Sequence, residues 1–165
     1  MFLKTKHFGE IDVPEEKCIE FAAGLPGFEQ MHRFAIFDSS EENSPFKWLQ
    51  SLDNPEIAFA VANPFLIVKD YDFELSEDDV QRLSIENAED VAVYSVIVVP
   101  QQLERMSMNL KAPIIINIRN KRGVQVILDT DKYTVRHYIL EELRRQEAGA
   151  GACTDEKKGS GHRNK

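Results

Sequence analysis

The sequence predicts a mainly β fold, a single barrel or sandwich with short helices at its margins. Most apolar segments are short and rich in β-branched or aromatic residues, and Pro, Gly, Asn or Asp bounds each of them, which is typical of strands. Helical patterns are few. The 165 residues suit one domain, and a composition of 42% hydrophobic and 29% charged residues is that of a globular chain.

Five segments carry the strand pattern most clearly, and the longest of them is rich in valine. They are residues 33–38, 57–61, 91–99, 114–118 and 124–128. The last two are joined by a short polar stretch that ends in Gly123, and we expect this stretch to be a hairpin loop.

Two segments predict helices. Ser76 is a good N-cap residue and is followed by three acidic residues, which favour a helix N-terminus. Near the end of the chain, Ile139, Leu140 and Leu143 lie on one helical face, and the Ala/Gly run from Ala148 is expected to end this helix. We therefore expect one domain over residues 1–147 and a disordered Gly/Lys-rich tail over residues 148–165.

The charge distribution favours a protein partner over a nucleic acid. The formal net charge is −8, and the tail contains more basic than acidic residues, so the domain itself is the acidic part. An acidic domain repels phosphate backbones, and direct nucleic-acid binding is not expected. The same surface attracts a basic protein, although net negative charge also serves solubility alone.

Targeting and cysteine patterns predict a cytoplasmic protein. Neither a secretory signal nor an apolar run of membrane-spanning length is visible, so no membrane role is expected. Cys18 and Cys153 do not form a disulfide framework or a metal motif, and we expect both thiols to be reduced. A monomer is expected.

No motif of a catalytic, cofactor or metal site is present. The four histidines lack metal-binding spacing, and no phosphate-binding loop or nucleophile elbow occurs. We expect no enzyme, no cofactor and no small-molecule substrate. The alternative is a small hydrolase or isomerase with its site in a barrel mouth, which a deep pocket holding His32 or His137 beside a carboxylate would support.

The turn-forming residues are more distinctive than the composition. The segments Phe-Ala-Ala-Gly-Leu-Pro-Gly-Phe-Glu, Pro-Phe-Lys-Trp-Leu-Gln-Ser with the only tryptophan, a strand ending in Asn-Pro, Asn-Leu-Lys-Ala-Pro-Ile and Gly-Val-Gln-Val-Ile-Leu follow one another at residues 21–29, 45–51, 59–64, 109–114 and 123–128. In this order they resemble the FliW family of flagellar assembly factors, over about residues 2–138.

The resemblance implies a β-barrel-like fold and two protein partners. Members of the family bind the translational regulator CsrA and relieve its repression of flagellin synthesis, and flagellin in turn sequesters them. This partner switching is a competition by mass action. The resemblance implies action away from the RNA site of CsrA; an RNA-mimicking inhibitor remains a third possibility.

Candidate partner-binding residues come from four segments of the chain. They are Leu25, Phe28 and Glu29 in the Gly-Leu-Pro-Gly turn, Phe65 after the Asn-Pro pair, the acidic residues Asp70, Asp72 and Glu74, and Met106 and Met108. For the turn, the competing interpretation is structural, with Leu25 and Phe28 capping the core. For the methionines it is core filling.

The acidic residues Asp70, Asp72 and Glu74 alternate with aromatic residues. On an extended segment all three side chains would lie on one face, opposite Tyr71 and Phe73. This face is the leading electrostatic candidate for meeting a basic regulator, although a solvated surface explains it equally. Phe65 either continues into a buried strand or lies at an apolar sheet edge that accepts a strand from a partner.

Overall fold

A closed β-barrel dominates the computed structural model, which describes residues 2–6, 9–38 and 44–152. The strands are β1 (Phe2–Thr5), β2 (Gly9–Asp12), β3 (Ile19–Glu20), β4 (Arg33–Asp38), β5 (Phe46–Ser51), β6 (Ala58–Ala62), β7 (Val91–Val98), β8 (Ser107–Met108), β9 (Ile114–Asn117), β10 (Arg122–Gln125) and β11 (His137–Tyr138). The α-helices are α1 (Pro64–Ile67), α2 (Glu77–Arg82) and α3 (Ile139–Ala152).

Closure of the barrel follows from the pairing of β9 with two strands. The order around the barrel is β7, β6, β5, β4, β3, β10 and β9, and β9 pairs back with β7. Among the described strands every barrel pairing is antiparallel except that of β3 with β10. Closure pairs most of the strand edges that an open sheet would leave unpaired. The predicted mainly β, barrel-like fold is thus confirmed.

Large apolar side chains from alternate strand positions fill the barrel. Phe34, Leu49 and Val61 are almost completely buried there, together with Phe21, whose ring meets that of Phe34 edge to face at 5.3 Å. Because side chains alternate across a strand, the intervening positions point outward.

The outward-pointing residues are covered by the remaining elements. The β1–β2 hairpin packs through Leu3 and Ile11 over Ala35. Leu83, at the end of α2, packs against Ile115 and Val124 on the outer face of β9 and β10. A further cluster joins α1, β8 and the start of α3, and has Tyr71, Met108, Leu110 and Ile139 at its centre.

Two details of the predicted elements are wrong. The hairpin glycine does not lie in the loop: Gly123 is in β10, and Lys121 adopts the left-handed conformation with φ of 60°. A Cβ atom at Gly123 would lie 2.7 Å from the Phe21 ring, so the glycine makes room for interior packing. Phe65 and Leu66 belong to the helix α1, because Asn63 caps it and accepts a hydrogen bond from the Phe65 backbone N–H at 2.9 Å.

The last helix is longer than the sequence pattern predicts. α3 continues through Ala148 to Ala152, into the segment that we assigned to the tail. Alanine is the best helix former and partly offsets the low helix propensity of the glycines that alternate with it. Residues 153–165, with Cys153, lie outside the described residues, and their disorder stays a prediction. Within the described ranges, no helix is both long and apolar enough to cross a membrane.

Candidate partner-binding surfaces

The Gly-Leu-Pro-Gly turn is a tight, well-defined loop at one end of the barrel. Gly24 and Gly27 have φ of 68° and 85°, and the Phe28 backbone N–H donates to the Leu25 carbonyl at 2.7 Å. The Phe28 ring packs edge to face on Phe59 of β6, with centroids 5.2 Å apart. The inward packing of Phe28 agrees with the structural interpretation of this turn, and Gly27 supplies the positive φ that the turn requires.

Burial within this turn supports its structural interpretation. Leu25 is only 3% exposed and belongs to the barrel core. Phe28 is half-buried, and Glu29 is exposed, with its Oε2 accepting from the Gly27 backbone N–H at 3.1 Å. Glu29 and part of Phe28 are therefore the candidates from this turn that a partner can touch.

The acidic residues lie on the surface as predicted, but not on a strand. Asp70, Asp72 and Glu74 are exposed, while Tyr71 is buried and Phe73 is half-buried. The segment is irregular between α1 and α2. We call Asp70, Asp72 and Glu74 the acidic segment.

Two tyrosines hold the acidic segment in place. The Tyr71 hydroxyl donates to the Leu110 carbonyl at 2.7 Å, and burial, followed by the nearby Tyr133, raises the pKa of Tyr71. The Tyr133 hydroxyl accepts from the Asp72 backbone N–H at 2.9 Å and lies 3.0 Å from the Asp72 carbonyl, to which it donates. The carboxylates are thus displayed on a backbone tied to the barrel, which limits the entropy lost when a partner binds.

Phe65 and the two methionines pack beneath this segment. The Phe65 ring stacks on Phe73, with centroids 6.1 Å apart, and both rings are partly exposed. Met108 is completely buried, which supports core filling, and Met106 is half-buried against the same cluster. The structure therefore brings Phe65 and Met106 together with the acidic segment in one region and leaves the turn in another cluster.

The two histidines that the structure describes, His32 and His137, take structural positions. His137 Nε2 lies 2.9 Å from Oε1 of Glu142, a buried carboxylate that also accepts from Arg145 and from Gln146 Nε2 at 2.6 Å. Burial opposes ionisation of Glu142, but the hydrogen bonds from Gln146, His137 and Arg145 outweigh it and lower its pKa. All these partners lie at the junction of β11 and α3.

His32 also has local partners. Its backbone N–H donates to Asp53 Oδ2 at 2.7 Å, and its ring Nδ1 lies 3.0 Å from the Phe21 carbonyl oxygen. Across the described ranges, no group of His, Cys, Asp or Glu side chains could hold a metal ion.

Two surface clefts flank the Gly-Leu-Pro-Gly turn, and sequence reasoning did not find either. One, of about 540 Å³, is lined by residues 27–31 and by Asp53 and Asn54. The other, of about 630 Å³, runs beside β10, and its lining includes Arg82 and Arg122. Neither lining includes His32 or His137, so the histidine pocket of the enzyme alternative is absent from both clefts. No sequence pattern reveals them, because each joins segments far apart in the chain.

Comparison with known proteins identifies the family. The family model described as FliW protein matches residues 2–139. The chain belongs to the FliW family. The segments that suggested the resemblance all lie inside the matched range, and the resemblance is confirmed.

The sequences of individual relatives align with this chain along almost their whole length. The flagellar assembly factor FliW of Ruminiclostridium cellulolyticum is 53% identical over 147 residues, which cover 89% of this chain and 99% of the relative. That of Caldanaerobacter subterraneus subsp. tengcongensis is 51% identical over 144 residues, 87% of this chain and 96% of the relative.

A solved structure gives the same result for the fold. The crystal structure of a flagellar assembly factor FliW superimposes with a TM-score of 0.78 at 31% identity, and the match covers 84% of this chain and 96% of that one. The chain is thus a member of a family of flagellar assembly factors.

Proposed function

We propose that this protein acts in the cytoplasm as a post-transcriptional regulator of flagellum assembly. It binds CsrA and relieves the repression of flagellin synthesis, and flagellin sequesters it when flagellin accumulates. The observation that carries this proposal is the family match over residues 2–139, which spans the whole barrel. The protein works by contact, as a monomer, without a cofactor, a small-molecule substrate or direct binding to nucleic acid.

The acidic segment is the proposed contact for CsrA. A protein that binds RNA carries a basic surface, and exposed carboxylates on a fixed backbone attract such a surface and speed the encounter. The aromatic pair Phe65 and Phe73 and the half-buried Met106 border the acidic segment, and supply apolar area that can be desolvated on binding.

The remaining candidate surface is assigned to the second partner. Glu29 and the exposed part of Phe28 lie on the other hydrophobic cluster, away from the packing of the acidic segment. Two partners can compete without sharing every contact. In that case substitutions in one surface weaken one partner more than the other.

Isothermal titration calorimetry tests the proposal directly. The purified protein is titrated with CsrA from the same organism, first alone and then after saturation with flagellin. We expect binding to CsrA that flagellin abolishes. A third titration with CsrA already bound to its target RNA separates the mechanisms, because an RNA mimic would compete and a remote contact would still bind.

The outcomes are distinct. Binding to neither CsrA nor flagellin would overturn the regulatory proposal. Simultaneous binding of both proteins, with unchanged affinities, would overturn partner switching while leaving both contacts real.

A further inference from the structure

The weakest joint of the barrel lies between β3 and β10. These strands are parallel and share a single residue pair, Glu20 with Arg122, supported by a hydrogen bond from the Glu20 backbone N–H to the Lys121 carbonyl at 2.8 Å. On its other side β10 pairs with β9 along all of Arg122–Gln125. Beyond Arg122, no described strand pairs with β10 on the β3 side.

The directions of the backbone N–H and C=O groups show which hydrogen-bonding groups β10 presents on this open side. The Val126 backbone N–H donates to the Pro113 carbonyl at 2.9 Å, so the backbone of residue 126 faces the β9 side. Backbone groups alternate sides along a strand, and those of Val124 therefore face β9 as well. The Gly123 carbonyl and both backbone groups of Gln125 point to the open side, as at the edge of a sheet.

A cleft of about 630 Å³ runs along the first part of this open edge. Its apolar lining consists of Ala22, Ala23, Leu83, Gly123 and Val124. After Glu20 the chain turns at residues 22–23, and these two residues line the cleft together with Arg82 and Leu83 at the end of α2.

The charged residues of the cleft favour an anionic occupant. Arg82 and Arg122 supply two guanidinium groups against the single carboxylate of Glu20, in a chain of net charge −8. The Arg82 side chain is 56% exposed and forms a long ion pair with Asp79, with 3.8 Å between Nη1 and Oδ1, so most of its guanidinium surface still faces solvent. Guanidinium groups bind carboxylates through paired, charge-assisted hydrogen bonds.

We propose that this cleft binds an extended acidic peptide segment of a partner protein. The segment adds a strand to the open edge of β10, with a carboxylate in reach of Arg82 and Arg122. Backbone hydrogen bonds supply affinity, and alternate side chains of the peptide contact the apolar floor around Leu83 and Val124. The chain's own residues 153–165 are a poorer occupant, since they contain more basic than acidic residues.

The site goes beyond the proposed function. It is a positively charged strand-accepting edge, opposite in charge to the acidic segment, and its test needs neither CsrA nor flagellin. Failure in this test therefore leaves the calorimetric test of partner switching unaffected.

Fluorescence anisotropy with a labelled synthetic peptide tests the proposal. The probe is a short N-acetylated peptide of alternating valine and threonine with one central glutamate. Two matched probes replace that glutamate by glutamine, or carry N-methyl groups on alternate amides, which removes the donors a strand must supply. We expect the glutamate probe to bind the full chain. Both matched probes should bind at least about tenfold more weakly.

Protein variants test whether the probe binds in the cleft. The double variant Arg82→Glu and Arg122→Glu should lose at least about tenfold in affinity for the glutamate probe, because charge-assisted hydrogen bonds are replaced by repulsion. The control, Arg136→Glu and Arg144→Glu, changes the net charge equally at exposed arginines outside the cleft. Circular dichroism establishes that both variants are folded.

Three results would overturn the proposal. They are no binding of the glutamate probe, equal binding of the N-methylated probe, and equal losses in the two double variants. Equal binding of the N-methylated probe would identify a simple anion site, and inorganic phosphate would then displace the probe. Protection of the amide of Gln125 from hydrogen exchange on peptide binding would support strand addition independently of charge.

Discussion

At the scale of single residues, two glycines of one turn have different physical roles. Both Gly24 and Gly27 adopt positive φ, which costs an L-residue about 1–2 kcal/mol. A Cβ atom at Gly24 would lie 2.7 Å from backbone atoms of Glu29, whereas the space around Gly27 is open. The turn therefore tolerates a strained side chain at its outer corner but not at its inner one.

Alanine substitutions separate strain from steric overlap. We expect Gly27→Ala to lower the free energy of unfolding by about 1–2 kcal/mol through strain alone. Gly24→Ala should cost clearly more, since the Glu29 backbone must also move. Urea unfolding followed by circular dichroism measures both; equal losses would show that the close approach at Gly24 is relieved without cost.

The residue scale also sorts the candidate contacts by accessibility. Leu25 and Met108 have the residue types of an interface but are buried, because their positions coincide with the two main apolar clusters. The charged candidates Glu29, Asp70 and Glu74 are exposed, which is the ordinary outcome for such side chains. Charge thus predicted the surface better than apolar character did.

At the scale of elements, the junction of β11 and α3 depends on one buried carboxylate. Glu142 lies in the first turn of α3, where a negative charge favours the helix dipole, and it accepts hydrogen bonds from His137, Arg145 and Gln146. Gln146 also donates to the Ile67 carbonyl of α1 at 2.7 Å. One charged network thereby ties α3 to both β11 and α1.

Protonation of Glu142 should loosen this junction. The pKa of Glu142 is lower in the folded protein than its usual value of 4.5, so the carboxylate stabilises the fold above that value. The contribution is lost as the pH falls from 4.5 through the lowered pKa. At neutral pH we expect Glu142→Gln to cost about 1–3 kcal/mol, since a buried charged acceptor is lost.

Urea unfolding over a pH series measures this contribution, with Glu141→Gln as the exposed control. The difference in stability between the wild type and Glu142→Gln should shrink at acid pH, and that of the control should stay small. A difference independent of pH would mean that Glu142 acts through shape and not through charge.

At the scale of the whole molecule, the barrel is a rigid support that presents charges of opposite sign at different places. The acidic segment follows α1 and is tied to the barrel by Tyr71 and Tyr133, while Arg82 and Arg122 line the cleft beside β10. A net charge of −8 gives the molecule a long-range attraction for basic partners. In the proposed function, local clusters of charge decide which face meets which partner.

Charge reversal tests whether the acidic segment meets the basic regulator. Asp70→Lys with Glu74→Lys should slow association with CsrA and weaken its dependence on salt, because steering acts on the encounter. Glu15→Lys with Glu16→Lys is the matched control, at exposed positions that follow the β1–β2 hairpin. Surface plasmon resonance at several salt concentrations measures both; equal association rates for the two double variants would exclude the acidic segment as the contact.

Local chemistry made much of the fold predictable from sequence. Short runs of β-branched or aromatic residues located β4, β6, β7, β9 and part of β10, and the N-cap at Ser76 located α2, because these signals depend on residues close together in the chain. The strands β1 and β2 were also missed, as were β3, β8 and β11, which contain two residues each, too few for any periodicity. The turn segment and its neighbours also sufficed to suggest the family.

What the sequence determined by itself was the class of fold, the family and the exposure of the acidic segment, since all three follow from local patterns and their order. Tertiary structure alone decided which apolar candidates are buried, why Gly123 lies in a strand against Phe21, and where β10 has an open edge. The physical reason is that each depends on contacts between distant segments. Barrel closure brings those segments together, and no spacing along the chain encodes that closure.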